Sequence, residues 1–553
     1  MPTARSGDVI VVGAGPTGLI LAAELALAGI RCLVLERRAG PRDDSRAICL
    51  HARSLEALDL RGQAGRFADA GLAVPSFPLG LRGAQIDFSV LDSDFPYLLD
   101  IPQSEIEGLL LARAVEVGAE IRWSTTVTSV AQDETGVRVA MADDSVAHAD
   151  YVVACDGVHS FVRDAMAIPF PGIHNPGSVI LADLRLDGLR MDQAYGDLSR
   201  DGMVLIFPFR DGFCRAVLYD YTQADVPVTV PVSLADVTSS LRRVSGQDFG
   251  PHDLRWSGRY QSESRQAPTY RAGRVLLAGD AAHAHSPAGA QGMNTGLQDA
   301  VNLGWKLGAA LGGWGPDWLL DSYSAERHPV GADVLTLTGR QFRLNTVRSP
   351  AGRALRWAVH RLVVPLPQVQ AWLARDYSGV SIAYPPAVNP DGSPGHPMAG
   401  QRLPHGAVTL SDSRRVRLPE LFHDGTFVLL DRSAATSAEA PGLAPAGGGG
   451  LPPPGEAGLA SAGGGGLASA GDVGVVPAGD AASGRIAIVP YRATTVPRLP
   501  AAVLVRPDGY IAWASDAPDP AARAAAARAA AALWCGRASA PAPASPPAAG
   551  DRA

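Results

Sequence analysis

The chain has 553 residues, 46% of them hydrophobic and 19% charged, with a formal net charge of −7 at pH 7. That length suggests about three domains with ample material for a core, and the absence of a long Lys/Arg run argues against a nucleic-acid partner, which would need a basic patch to neutralise phosphates. Five scattered cysteines with no C-x-x-C argue against a disulfide framework, a zinc site or a thiol redox pair, and no run approaches ~18 uninterrupted apolar residues or resembles a signal peptide, so a cytoplasmic protein with no membrane partner is expected.

Asp8 to Val12 is a short apolar run of the kind buried on both faces of a parallel sheet. Thr17 to Ala28 is rich in helix formers, Gly29 suits a C-terminal cap, and Arg31 to Leu35 reads as a second strand. Between the first strand and the helix stands Gly13-Ala14-Gly15-Pro16-Thr17-Gly18. In such a turn the first glycine bends the chain, the second lets a pyrophosphate approach the backbone, and the third lets helix and strand pack closely. The helix N-terminus adds free N–H groups and the positive end of its dipole. Glu36 closes the second strand, at the distance where an acidic side chain grips ribose hydroxyls. This is a dinucleotide site, but the motif alone does not separate FAD from NAD.

Tyr151 to Ala154 is a third apolar strand, running into Cys155-Asp156-Gly157-Val158-His159-Ser160-Phe161-Val162-Arg163. Asp156 there reads either as the cap of a local turn or as part of the site. Over 170–270 aromatic and branched residues alternate with polar ones, as in Met203 to Phe207 and Phe213 to Leu218, which predicts antiparallel strands. Arg274 to Ala278 returns the chain to the first sheet and sets Gly279-Asp280 on the loop directly after it. Pro287, Gly289, Gly292, Met293 and Asn294 then lead into helical patterns over roughly 296–376. A loop that ends at a helix N-terminus offers backbone donors to a flavin ring, and Asp280 can accept from a ribityl hydroxyl. NAD has no ribityl chain, so this second element points to FAD. His283 and His285 flank the loop without a third ligand nearby, so no metal site is expected. Beyond about residue 400, Leu418 to Leu430 and Ala501 to Trp513 read as strands of a small extra domain. The Gly/Ala/Pro-rich stretch 434–483 between them reads as a disordered insertion, because it cannot bury enough apolar area to offset its ordering entropy. The Ala-rich 520–534 reads as a last helix, with a loose tail after Gly536.

In this order and spacing, the three elements resemble the single-component (class A) flavoprotein aromatic hydroxylases, among them the rifampicin monooxygenases and polyketide-tailoring hydroxylases. Ser45-Arg46, Leu50-His51-Ala52-Arg53-Ser54, Ile101-Pro102-Gln103, Gln291-Gly292-Met293-Asn294 and Arg506-Pro507-Asp508-Gly509 with Trp513 add to the likeness, which covers nearly the whole chain apart from 434–483. The resemblance implies an α/β protein with a Rossmann-type, para-hydroxybenzoate hydroxylase-like FAD-binding domain at 1–170 and 271–390. It further implies an antiparallel-sheet substrate domain at 171–270, a thioredoxin-like C-terminal domain at 395–535 without redox cysteines, and a disordered tail at 536–553. Carried over by position, it implies FAD contacts at Gly15, Thr17, Glu36, Arg37, Arg46, Gln103, Asp280, Met293 and Asn294, with Val127 near the adenine. Gly13, Gly18, Asp156, Gly157, Pro287 and Gly292 complete the candidate set; Phe207, Pro208 and Arg215 are candidates for the substrate pocket, and no catalytic side chain is singled out. The implied chemistry is reduction of FAD by NADPH or NADH, addition of O2, and transfer of oxygen from a flavin C4a-hydroperoxide to an aromatic or polyketide small molecule. Baeyer–Villiger oxidation or epoxidation by the same peroxide stays open, as does a non-catalytic drug-binding or redox-sensing flavoprotein. Either a monomer or a homodimer is expected.

Overall fold

The runs Val9–Val12 (β1) and Cys32–Leu35 (β2) are buried at every position, as strands covered on both faces must be. In the computed structural model, which describes residues 6–42, 47–175, 177–385, 395–432, 476–477 and 485–536, they lie inside a six-stranded sheet. Its order is Arg271–Ala272, Val275–Leu277, Tyr151–Ala154, β1, β2, Glu120–Arg122, and every neighbouring pair is parallel except the first. Helix α1 (Pro16–Leu27) connects β1 to β2 on one side, whereas the strand on the other side of β1 arrives only at Tyr151. The carboxyl ends of β1 and Tyr151–Ala154 therefore flank the point where the strand order reverses, which is where open α/β sheets leave a crevice for ligands.

A five-stranded antiparallel sheet stands beside this layer, in the order Tyr195–Leu198, Gly202–Pro208, Cys214–Asp220, Val179–Leu186, Pro251–Tyr260. One of its faces packs Ile180, Val204, Ile206 and Leu218 under a helix, Leu234–Ser245. Strand alternation did not predict that helix. Its readable signal was the Ser233/Asp236 capping box ahead of Val237, Leu241 and Val244, with Gly246 left-handed at the other end. The opposite face turns Leu205 and Phe207 into the core of the parallel-sheet domain, where Phe207 meets Phe77 with ring centroids 5.5 Å apart.

The C-terminal sheet runs Arg415–Arg417, Ala407–Leu410, Ile486–Thr494, Phe427–Asp431, Ala502–Val505, Ile511–Ser515. Phe427–Asp431 is parallel to Ile486–Thr494 and antiparallel to Ala502–Val505, the pattern of a thioredoxin-type sheet, and helix Pro520–Cys535 packs on it through Ala527, Ala530 and Trp534. Two expectations need correction. Leu418 to Leu430 is not one strand: Leu418–Phe422 forms a 3-10 turn with Pro419 in its first turn, and extended structure begins only at Phe427, after Gly425 turns left-handed. Ala501 to Trp513 is a hairpin rather than a single strand, turning at left-handed Gly509. The stretch 434–483 lies outside the described residues except for Val476–Pro477, which pair with Ile486–Thr494 and so are not structureless; 537–553 also lies outside them. Among the described residues no helix is long and apolar enough to cross a membrane.

Candidate active site

The glycine turn is a steric device at two positions and an open surface at a third. Gly13 has φ +105, and a Cβ there would collide with the carbonyl of Cys155; one on Gly18 would collide with the carbonyl of Gly13. Around Gly15, by contrast, nothing among the described residues lies within 4 Å of a Cβ position. Gly15 is also the N-cap of α1, where no side chain caps the helix and no acidic residue stands in the first turn. The unclaimed N–H groups and the dipole end thus face a cradle shaped for an anion.

Glu36 is buried and already fully engaged. Its Oε2 accepts from Ala14 N–H at 2.7 Å, and its Oε1 accepts from Arg38 N–H at 2.9 Å and faces Arg38 Nε at 3.1 Å. Burial raises this carboxyl, but the Arg38 contacts and the Ala14 N–H outweigh it and hold Glu36 below its ordinary value. Arg38 reaches on to Glu107 Oε2 at 3.2 Å, and Glu107 accepts from Gln103 Nε2 at 2.8 Å. Gln103 Oε1 accepts from Ala47 N–H at 2.9 Å. Of the paired arginines, then, it is Arg38 that folds back on the site, while the expected contact Arg37 is exposed. Arg46 lies outside the described residues. Val127 is buried close to Glu36, whose carbonyl accepts from Thr125 N–H at 2.8 Å.

Asp156 and Gly157 follow the strand beside β1. The cap of the short helix Phe161–Ala165 is Ser160, which accepts from Arg163 N–H at 3.0 Å, so Asp156 is not its main cap. Asp156 Oδ2 accepts from Val162 N–H at 3.2 Å, while its buried Oδ1 has no partner among the described residues. Burial outweighs these bonds and raises the Asp156 carboxyl. Gly157, at φ +86, has nothing within 4 Å of its Cβ position. An open cradle at Gly15 and Gly157, with an orphaned carboxylate oxygen between the two strands, fits a dinucleotide lying across the crevice.

The distant loop closes onto this crevice. A Cβ on Gly279 would sit 2.6 Å from Thr17 Oγ1, and one on Gly296 would collide with the same hydroxyl, so α1 and helix Gln291–Leu311 meet with the Gly279 turn wedged between them. Arg163, the last residue of that element and given no role in the sequence reading, donates to Val158 O at 3.0 Å and Ala281 O at 3.3 Å, tying the Asp156 turn to the same loop. Asp280 is exposed, its Oδ1 3.8 Å from the Cβ position of Gly292. Pro287 is exposed ahead of left-handed Gly289 and Ala290, and the helix that follows has no side-chain cap. Met293 packs against the main core. Asn294 spends its amide on the protein, donating to Cys49 O at 3.1 Å and accepting from His51 N–H at 2.9 Å. His283 is braced on Asp299 at 2.6 Å.

The inner face of the antiparallel sheet packs towards the Gly289 turn, since Phe207 meets Phe77, whose ring centroid lies 6.3 Å from that of Tyr377, the residue against Gly289. Phe207 is buried against Phe77, and Pro208 ends the same strand. Arg215 is buried with Nη2 2.9 Å from Asp183 Oδ2 and its guanidinium 5.2 Å from the Trp256 ring centroid, so its charge is already paired.

Comparison with known proteins agrees with this geometry. The family described as FAD binding domain matches residues 6–338, and the one described as aromatic-ring hydroxylase, C-terminal, matches residues 457–538. A 12-dehydrotetracycline 5-monooxygenase/anhydrotetracycline 6-monooxygenase of Streptomyces rimosus is 41% identical over 435 residues, covering 76% of this chain and 85% of its own. A rifampicin monooxygenase of Streptomyces venezuelae is 39% identical over 438 residues, covering 78% and 88%. The solved structure of the OxyS anhydrotetracycline hydroxylase from Streptomyces rimosus matches with a TM-score of 0.76 at 36% identity, over 96% of this chain and all of that one. The chain belongs to the FAD-binding-domain family of aromatic-ring hydroxylases and is an FAD-dependent monooxygenase.

Proposed function

We propose that this monooxygenase hydroxylates an aromatic ring of a polyketide-type small molecule, with bound FAD, NADPH or NADH as reductant and O2 as oxygen donor. The observation that carries the reading is the meeting of Thr17 with Gly279, which joins the pyrophosphate turn to the loop bearing Asp280. The named substrates of the relatives, tetracycline precursors and rifampicin, support the substrate class. FAD, when bound, supplies the redox chemistry, accepting hydride and activating oxygen.

The chain's own residues bind and orient. N–H groups of the first turn of α1 hold the diphosphate over Gly15. Glu36 takes the ribose hydroxyls, exchanging part of its Arg38 contact for them, with Gln103 and Val127 alongside. Asp156 and Asp280 accept from hydroxyls of the chain between diphosphate and ring. Because the Asn294 side-chain amide is spent on Cys49 and His51, the first turn of helix Gln291–Leu311 offers the backbone N–H groups of Gly292 and Met293 to the ring instead. Phe207 and Arg215, each already packed or paired, form the wall that excludes water above the reacting atoms. The need for a nicotinamide pool supports a cytoplasmic location, and light scattering tests whether the enzyme is a monomer or a homodimer.

Anaerobic mixing of the purified yellow protein with NADPH or NADH and a polycyclic phenol should bleach the flavin. Admission of air should then give a product heavier by one oxygen atom. If neither reductant bleaches the flavin with substrate present, the reading is wrong.

A further inference from the structure

Away from the cradle, one surface is more apolar than a water-facing surface needs to be. Helix Pro350–Ala358, the π-helical turn Val359–Val363 and helix Pro367–Ser378 follow one another, and Leu355, Trp357, Leu362, Val363, Leu366 and Trp372 all stand exposed along them. Both tryptophans keep more than half of their surface in solvent, 55% at Trp357 and 56% at Trp372. The segment is not loose. On its inner side Arg356 donates to Asn345 O at 2.9 Å, Gln370 Nε2 donates to Gln85 O at 2.9 Å, and His360, Val364 and Leu373 are buried. Isolated exposed apolar side chains need no explanation, but six of them within eighteen residues of an anchored helical segment point to a contact surface.

Charge says which contact. Residues 334–375 contain seven arginines, one of them the inward-facing Arg356, and no Asp or Glu before Asp376 near the end of the last helix, in a chain whose net charge is −7. Arg348, Arg353, Arg361 and Arg375 are exposed beside the apolar set. Arg353 donates to the carbonyl of Arg348 at 3.0 Å, and Arg348 lies over the Tyr221 ring at 4.1 Å, so neither cation is turned towards a carboxylate.

We propose that this face docks on an anionic lipid surface, with the tryptophans and leucines in the headgroup layer and the arginines on lipid phosphates. A basic amphipathic element with Trp and Leu on its apolar side is the composition that lies in such an interface. A second copy of the chain fits less well, because a two-fold contact sets the same patch against itself and brings arginine to arginine. The expectation of no membrane partner was drawn from the lack of a spanning segment, and an element that lies in the interface needs none. Val364 and Leu373, on the inner side, share a core with Phe77 and Phe207, so the docked face adjoins the antiparallel sheet.

The test is sedimentation of the full-length, FAD-loaded protein with vesicles of phosphatidylcholine alone or mixed with phosphatidylglycerol. The protein should pellet with the anionic vesicles only, and less so as salt rises. Trp357→Ser with Trp372→Ser, and separately Arg353→Glu with Arg361→Glu, should each weaken binding about tenfold or more, since both apolar and cationic contacts contribute, while flavin content and NAD(P)H oxidation stay as in the parent. No binding, or equal binding to both vesicle types, overturns the proposal. So does light scattering that shows a dimer which the tryptophan variant splits, because the face would then belong to a second copy.

Discussion

Arg506 and Glu326 meet as a two-pronged ion pair, Nη1 to Oε1 at 2.7 Å and Nη2 to Oε2 at 2.9 Å, with both side chains buried. Arg506 belongs to the C-terminal sheet region, and Glu326 lies on helix Asp321–Thr346. The next residue, Arg327, donates to Asp299 Oδ1 at 2.7 Å, and Asp299 Oδ2 accepts from Gly279 N–H at 3.1 Å. Two consecutive residues of one helix therefore fasten the C-terminal domain and the Asp280 loop to a single support.

Breaking this pair should be expensive. Burial raises the Glu326 carboxyl, but Arg506 and Lys306 outweigh it and hold it well below the ordinary carboxylate range. Arg506→Met should cost about 3–5 kcal/mol at pH 7, as removal of one partner of a buried pair does. A carboxyl with a depressed folded pKa gives its stabilisation above the unfolded value, near ~4.3, and loses it as the pH falls further. The deficit of the variant should therefore shrink in acid. Urea unfolding at pH 7 and pH 3 measures both; an equal deficit at the two would refute the ionic account.

The two halves of the glycine motif should separate fold from cofactor. Gly18→Ala presses a methyl into the Gly13 carbonyl, so the apo protein should lose about 1–3 kcal/mol from overpacking. Gly15→Ala adds a methyl where none of the described residues stands within 4 Å, so apo stability should barely change. That methyl does occupy the cradle, and FAD affinity should fall about tenfold or more, roughly 1.4 kcal/mol. Thermal unfolding of the apo variants and fluorescence titration with FAD give the two numbers.

Asp100 is a liability the fold carries openly. Its carboxyl is buried on the strand Leu98–Asp100 beside Cys49, neither oxygen has a partner among the described residues, and burial pushes its pKa well above the usual value. A raised folded pKa means that stability is lost as the pH climbs past the unfolded value, near ~3.9. Asp100→Leu should raise apo stability at pH 8 by about 1–3 kcal/mol, the cost of an unsatisfied buried polar group, with the gain fading towards pH 4. A thermal shift in the opposite direction at pH 8 would contradict this.

Three buried histidines should make the fold acid-sensitive in a countable way. Burial lowers His51 to about 4, and burial with neighbouring His283, or with Arg356 and Arg361, does the same to His285 and His360. A histidine kept neutral by the fold contributes fully above its unfolded pKa, near ~6.5, and loses that contribution as the pH drops towards about 4. Unfolding in this window should take up a proton at each. His51→Gln should flatten the slope of unfolding free energy against pH by about 1.4 kcal/mol per pH unit. Identical slopes in parent and variant would mean that His51 is already charged.

What the sequence disclosed was local chemistry at strand ends. The separate roles of Gly13, Gly15 and Gly18 follow from short-range geometry, and each reappears as a collision or an opening in the structure. The placement of Asp156 and Asp280 after apolar strands was equally legible, because both strands join the same parallel sheet. Partner choice was not. Arg37 and Arg38 are adjacent and alike, and the partners that turn Arg38 inward, Glu36, the Ala14 carbonyl and Glu107 on helix Gln103–Glu116, come together only in the folded site. Arg163 was hidden for the same reason, since its meaning depends on Ala281, a residue far along the chain. The exposure of Trp357 and Trp372 was invisible too, because a sequence shows that a side chain is apolar and not whether anything covers it.

The reversal of strand order beside β1 also governs events on the ribosome. A nascent chain that has emerged as far as Arg122 holds the glycine turn, β2 and the outer strand, but neither the Cys155 wall against Gly13 nor the Gly279 wedge against Thr17. Until Tyr151–Ala154 arrives, β1 presents an unpaired edge, the form in which sheets recruit other chains. Flavin capture must come late in translation, after the antiparallel sheet has been made, and the interval before it is when the polypeptide most needs a chaperone.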